Sequence, residues 1–183
     1  MNPNLHVIAD TSGSMKEMGK IHLLRNLCRY ASRLKTLNPQ VHSNLNMLFF
    51  QWSAEVAKVT PEDGDIPPLS ARGPSDLGAL AAFLREARGE DRALRALVLS
   101  DGHFSRAEAE DLAQELGSRP RVRLRAVAVG ADADLTRLKK ISSNGRVYRA
   151  EDIASAVSDA AFGLDGPGPS ADTPIVVRFG QAR

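Results

Sequence analysis

Three short segments of this 183-residue chain concentrate side chains that could do chemistry. They are Asp10-Thr11-Ser12-Gly13-Ser14, then Gly73-Pro74-Ser75-Asp76-Leu77-Gly78, and finally Ser100-Asp101-Gly102. The first and third each follow an apolar run, and the second precedes a helical pattern. Carboxylate and hydroxyl oxygens, completed by water, are the ligands that a hard divalent cation such as magnesium prefers in octahedral geometry. Cys28 is the only cysteine, which excludes an intramolecular disulfide and a Cys-based zinc site.

These segments need a scaffold, and the hydropathy pattern supplies one. Leu5-His6-Val7-Ile8-Ala9 reads as a buried strand ending at Asp10. From Lys16 to Leu37 two apolar stripes recur at helical spacing, Ile21/Leu24/Cys28/Ala31 and Leu23/Leu27/Tyr30/Leu34, which predicts a widely buried helix stopped by Asn38-Pro39. Residues 46–52 read as a strand, with 55–59 its hairpin partner at a sheet edge. The segment 60–74 is a Pro/Gly/Asp/Ser-rich loop. Helix 76–88, strand 93–100, a helix capped by Ser105 and ending near Leu116, strand 122–129, helix 134–141, strand 146–148 and helix 151–162 follow. Such alternation predicts a doubly wound, mostly parallel α/β sheet with helices on both faces and one antiparallel edge strand. In open sheets of this kind ligands gather outside the carboxyl ends of the strands, where strand order reverses. If the strands before Asp10 and Asp101 are neighbours, the three segments converge there.

Over roughly the first 160 residues, the motif order and the alternation resemble the von Willebrand factor A (vWA) family with its metal-ion-dependent adhesion site (MIDAS). Asp10, Ser12 and Ser14 match the family's Asp-x-Ser-x-Ser, and Asp101 matches its later Asp. Ser75 stands where the family usually has Thr, which keeps the hydroxyl but frees its rotamer and implies a slightly looser site. The resemblance implies a metal held by Asp10, Ser12, Ser14, Ser75 and Asp101, with magnesium expected and manganese or calcium as substitutes. One coordination position would stay open for an Asp or Glu of a protein partner, so the metal would bridge two proteins without catalysis. Small intracellular bacterial members of the family often work beside MoxR-type AAA+ ATPases, which makes such an ATPase, or another protein encoded nearby, a candidate partner. Short length and compact architecture add the expectation of a bacterial protein, and an N-terminal stretch without the basic start and apolar run of a signal peptide adds that of a cytoplasmic one.

Other residues have plainer readings. Asp76 could stand behind the metal ligands or complement a helix dipole, and His103 could flank the partner surface. Lys16 and Lys20 read as a solvated helix face, and Cys28 as core. His6, His22 and His42 have no ligand-like spacing. Two other functions stay open. One is a metal-dependent phosphohydrolase using Asp10. Against it, Ser12 occupies the place of the second Asp of the haloacid-dehalogenase pattern, and neither a Walker A run nor Gly-x-Ser-x-Gly is present. The other is nucleic-acid binding through the stripe Arg119, Arg121, Arg123 and Arg125, against which stand a formal net charge of +2 and the lack of interleaved aromatics.

Hydrophobic residues at 43% and charged residues at 25% are those of an ordinary globular domain, and no apolar run approaches the ~20 residues of a membrane span. The expected division is a vWA domain over 1–163, then a Gly/Pro linker and strand-like tail over 164–183 built around Ile175-Val176-Val177-Arg178-Phe179.

Overall fold

The computed structural model describes residues 3–88, 93–118 and 121–163. The expected tail, with its strand-like segment, and Arg119 lie outside the described residues. Strands β1 (Asn4–Asp10), β2 (Asn46–Trp52), β3 (Val56–Val59), β4 (Leu94–Ser100), β5 (Val122–Ala128) and β6 (Val147–Arg149) form one sheet in the order β3-β2-β1-β4-β5-β6. All neighbours pair in parallel except β3, which runs antiparallel to β2 at the edge. The expected hairpin is therefore present, and β1 and β4 are neighbours, with Ala9 opposite Leu99. The chain leaves β1 toward β2 on one side and later returns to β4 on the other, so the order reverses between these two strands.

Alternate residues of β1 face two separate cores. Leu5, Val7 and Ala9 pack with helices α1 (Lys20–Leu37) and α6 (Ile153–Phe162). Ile8 packs with Trp52 and with α3 (Leu77–Arg88), α4 (Arg106–Gly117) and α5 (Leu135–Ile141). Burial on both faces is why the central strands read as continuous apolar runs rather than alternating ones. A short helix α2 (Pro39–His42) follows α1 directly, because Asn38-Pro39 ends one helix while Pro39 suits the first turn of the next.

Two expectations about α1 change. The helix begins at Lys20, not Lys16, since a 3-10 segment, Gly13–Gly19, precedes it and breaks at Met18 (φ 49°) and Gly19 (φ 71°) in the left-handed region. Its buried face is also narrower than two full stripes. Leu24, Leu27, Cys28, Ala31 and Leu34 are buried, whereas Leu23 and Tyr30 are exposed. A helix lying on a sheet covers one side only, and these two lie past its edge. Burial pushes the Cys28 thiol up to about 12, as befits an inert core cysteine.

The Arg stripe is not one solvated surface. Arg121 is exposed, but Arg125 is buried with Asp159 of α6. Its Nε and Nη2 donate to the two Asp159 oxygens at 2.6 and 3.2 Å, and Tyr148 Oη donates to Oδ2 at 2.8 Å. Strand alternation turns Arg125 toward α6, and there it serves the fold.

Candidate metal site at the strand-order reversal

The first loop leaves β1 with its polar groups already committed. Asp10 is fully buried; its Oδ1 accepts from the Ser12 backbone N–H at 2.9 Å and its Oδ2 from Ser100 Oγ at 2.6 Å. Burial pushes the Asp10 carboxyl above its usual range, against these hydrogen bonds, and the nearby Asp101 charge adds to the rise. Thr11 N donates to the Trp52 carbonyl and Arg72 N to the Thr11 carbonyl, each at 2.7 Å, while Gly13 N donates to the Gly73 carbonyl at 2.8 Å. These bonds stitch the Asp10 loop to the segment that carries Ser75, itself buried. Ser12 Oγ and Ser14 Oγ lie 3.2 Å apart.

Asp101, also fully buried, follows β4. Its Oδ1 accepts from the His103 backbone N–H at 3.1 Å, and its Oδ2 lies 2.7 Å from Lys20 Nζ and 3.0 Å from His103 Nδ1. Burial alone would raise this carboxyl. The Lys20 ammonium, His103 and the Ser14 hydroxyl outweigh it and hold Asp101 below the usual carboxylate range. Gly102 makes the turn possible: its φ is +76°, and a Cβ there would lie 2.7 Å from the Asp134 carbonyl oxygen.

The fold thus brings Asp10, Ser12, Ser14 and Asp101 together and ties the Ser75 segment to them. Two carboxylates close enough to repel, with hydroxyls beside them and Asp10 hydrogen-bonded only by neutral groups among its described partners, form a donor set that fits a hard divalent cation. Among the described residues no three His, Cys, Asp or Glu side chains are placed to hold a metal ion by themselves, so hydroxyls and water would have to fill most of such a shell. His103 sits at the rim, touching Asp101. Asp76 is engaged elsewhere: its Oδ1 accepts from Ala79 N at 2.9 Å and caps α3, while its carbonyl accepts from Trp52 Nε1 at 2.7 Å. A cleft of about 400 Å³ opens beside the first loop, lined by Thr11, Ser53, Arg72 and Gly73 among others.

Two residues here are outside the ligand set and rim that the sequence suggests. Ser100, the last residue of β4, donates to Asp10 and accepts from Gly102 N at 2.9 Å, coupling the two acidic loops. A serine closing an apolar strand just before Asp-Gly was its only signal. Lys20, expected on a solvated face, is 1% exposed and bridges Asp101 to Asp132. Partners that orient a metal ligand typically contribute 10–100-fold to affinity. Ser100→Ala should therefore weaken divalent-ion binding at least ~10-fold with a modest change in melting temperature, which calorimetric titration and thermal melts would check.

No protein-family model matches the chain, and no curated protein is similar to it in sequence. Solved structures are similar in fold. The ArnB paralog VWA2 from Sulfolobus acidocaldarius superposes with a TM-score of 0.58 at 19% identity, covering 86% of this chain and 44% of that one. Proximal thread matrix protein 1 from the mussel byssus, solved with a zinc-occupied MIDAS motif, gives 0.59 at 15% identity over 86% of this chain and 45% of that one. BatB from Bacteroides thetaiotaomicron gives 0.59 at 12% identity, over 86% of this chain and 98% of that one. The chain spans less than half the length of the first two.

Proposed function

This chain has the von Willebrand factor A fold, and we propose that it is a non-enzymatic protein-binding module that engages a partner's acidic side chain through a divalent cation. The observation that carries the reading is the meeting of the Asp10 and Asp101 loops where strand order reverses, with Ser12 and Ser14 hydroxyls between two buried carboxylates. The zinc in the MIDAS motif of the mussel protein supports divalent-metal binding on this fold.

In this reading Ser12, Ser14 and Ser75 offer hydroxyl oxygens to the ion, and Asp10 and Asp101 balance its charge directly or through water. The cation supplies a Lewis-acidic position for a carboxylate oxygen of the partner. Magnesium suits the oxygen donors best, with manganese, calcium or zinc as substitutes. Ser100 and His103 keep the two Asp side chains oriented, and the cleft beside Thr11 and Arg72 leaves room for a partner segment around its acidic residue. The partner class is a protein presenting Asp or Glu, for which a MoxR-type AAA+ ATPase in a bacterial cytoplasm is the candidate implied by the resemblance. No helix among the described residues is long and apolar enough to cross a membrane.

The test is binding of acidic peptides to the immobilised chain with magnesium and with chelator. Retention that chelator abolishes and added Mg²⁺ or Mn²⁺ restores is expected. Retention indifferent to chelator would overturn the reading, and phosphoester hydrolysis lost in Asp10→Ala would replace it with the phosphohydrolase.

A further inference from the structure

Lys20 sets a buried ammonium against a carboxylate of the candidate metal site, on the same Asp101 oxygen that His103 touches from the rim. It is the first residue of α1, 1% exposed, and its Nζ lies 2.7 Å from Asp101 Oδ2 and 2.9 Å from Asp132 Oδ2. Its stem runs past Gly130, where a Cβ would lie 2.7 Å from Lys20 Cδ and 3.0 Å from Cγ, so the loop after β5 leaves space that the lysine fills. Asp132 is exposed and solvated, whereas Asp101 is not. The buried ammonium therefore acts chiefly on the buried carboxylate, where charges are least screened.

We propose that Lys20 is a built-in counter-charge that competes with the divalent cation for Asp101, holding the site's metal affinity down and keeping Asp101 oriented when the ion is away. The inference rests on the metal reading above. Its physical basis is direct. An ammonium bound to one ligand carboxylate repels a dication drawn to the same group, and it removes part of the negative charge that would hold the ion. Without the ion, the same contact compensates a buried carboxylate that would otherwise be costly. A site arranged this way releases and rebinds its cation readily, and keeps its loops in place between the two states.

The experiment is Mn²⁺ titration by calorimetry, with thermal melts in chelator and in Mn²⁺, on the wild-type chain and on Lys20→Gln, Lys20→Arg and Asp132→Asn. Lys20→Gln keeps a donor for Asp101 but loses the charge. It should bind Mn²⁺ roughly tenfold more tightly, melt lower in chelator, and gain more from Mn²⁺ than the wild type. Lys20→Arg keeps the charge and should stay near or below wild-type affinity. A structural role alone would weaken Mn²⁺ binding in Lys20→Gln, and equal or weaker binding there overturns the inference while leaving the metal reading intact. If Lys20→Gln fails to fold, Asp132→Asn decides. With Asp132 neutral the ammonium falls to Asp101 alone, and Mn²⁺ binding should weaken several-fold; unchanged or tighter binding overturns the inference. Absence of Mn²⁺ binding by the wild-type chain would overturn both it and the metal reading.

Discussion

Asp10→Ala should abolish chelator-reversible partner binding and reduce divalent-ion affinity by at least about 100-fold, while the domain stays folded. Asp10 is one of two carboxylates available to balance the ion, and without it Asp101, already paired with Lys20, stands alone. The effect on stability combines opposing terms. The Ser12 N–H and the Ser100 hydroxyl lose their acceptor, at roughly 1–3 kcal/mol for a buried polar group left unpaired. Against that, a fully buried carboxylate that burial disfavours is removed, which returns part of the cost. Near-native melting with no detectable Mn²⁺ heat is the expected pair of results. Metal-independent capture of the same acidic peptide by this variant would show that Asp10 does not hold a bridging ion.

The largest stability effect is expected away from the site, at Asp159→Ala. This carboxylate accepts from Arg125 through both oxygens and from Tyr148 Oη, in a pocket where Arg125 is 6% exposed and Asp159 1%. Removing it leaves a guanidinium in the interior with no carboxylate, and breaking a buried pair from one side costs about 3–5 kcal/mol. For a domain of this size that corresponds to a fall in melting temperature of roughly 6–20 °C. Removing both charges together, as Arg125→Met with Asp159→Leu, should recover most of the loss, because an apolar pair of similar volume has no desolvation cost. Denaturant melts of the two variants would check this, and equal losses would show that packing, not the unpaired charge, sets the penalty. Mn²⁺ affinity of the single variant, measured well below its melting point, should match the wild type.

Arg125 also marks how far sequence reading reaches. The Arg119–Arg125 alternation offers itself as a surface stripe because a charged residue between apolar ones in a strand ordinarily points to water. Nothing in the strand itself says that its second face lies under α6 or that α6 brings an aspartate there. Lys20 departs from its local pattern for the same reason. Beside Lys16 at a helix start the sequence presents it as one of two surface lysines, and Lys16 is indeed exposed. The left-handed turn at Met18 and Gly19 and the open space at Gly130 are what direct its neighbour inward.

Element order, the α/β class with its antiparallel edge, and the location of oxygen donors at strand ends are all written in the chain, since these follow from local periodicity, turn residues and the spacing of Asp and Ser. Tertiary structure alone decided which charges are buried and what they face. Strand order placed the Asp10 and Asp101 loops side by side, Ser100 coupled them, and Lys20 met Asp101 from 81 residues away. Burial and long-range pairing depend on how separate elements pack. A residue's neighbours in the chain carry no record of the carboxylate that another loop brings to it.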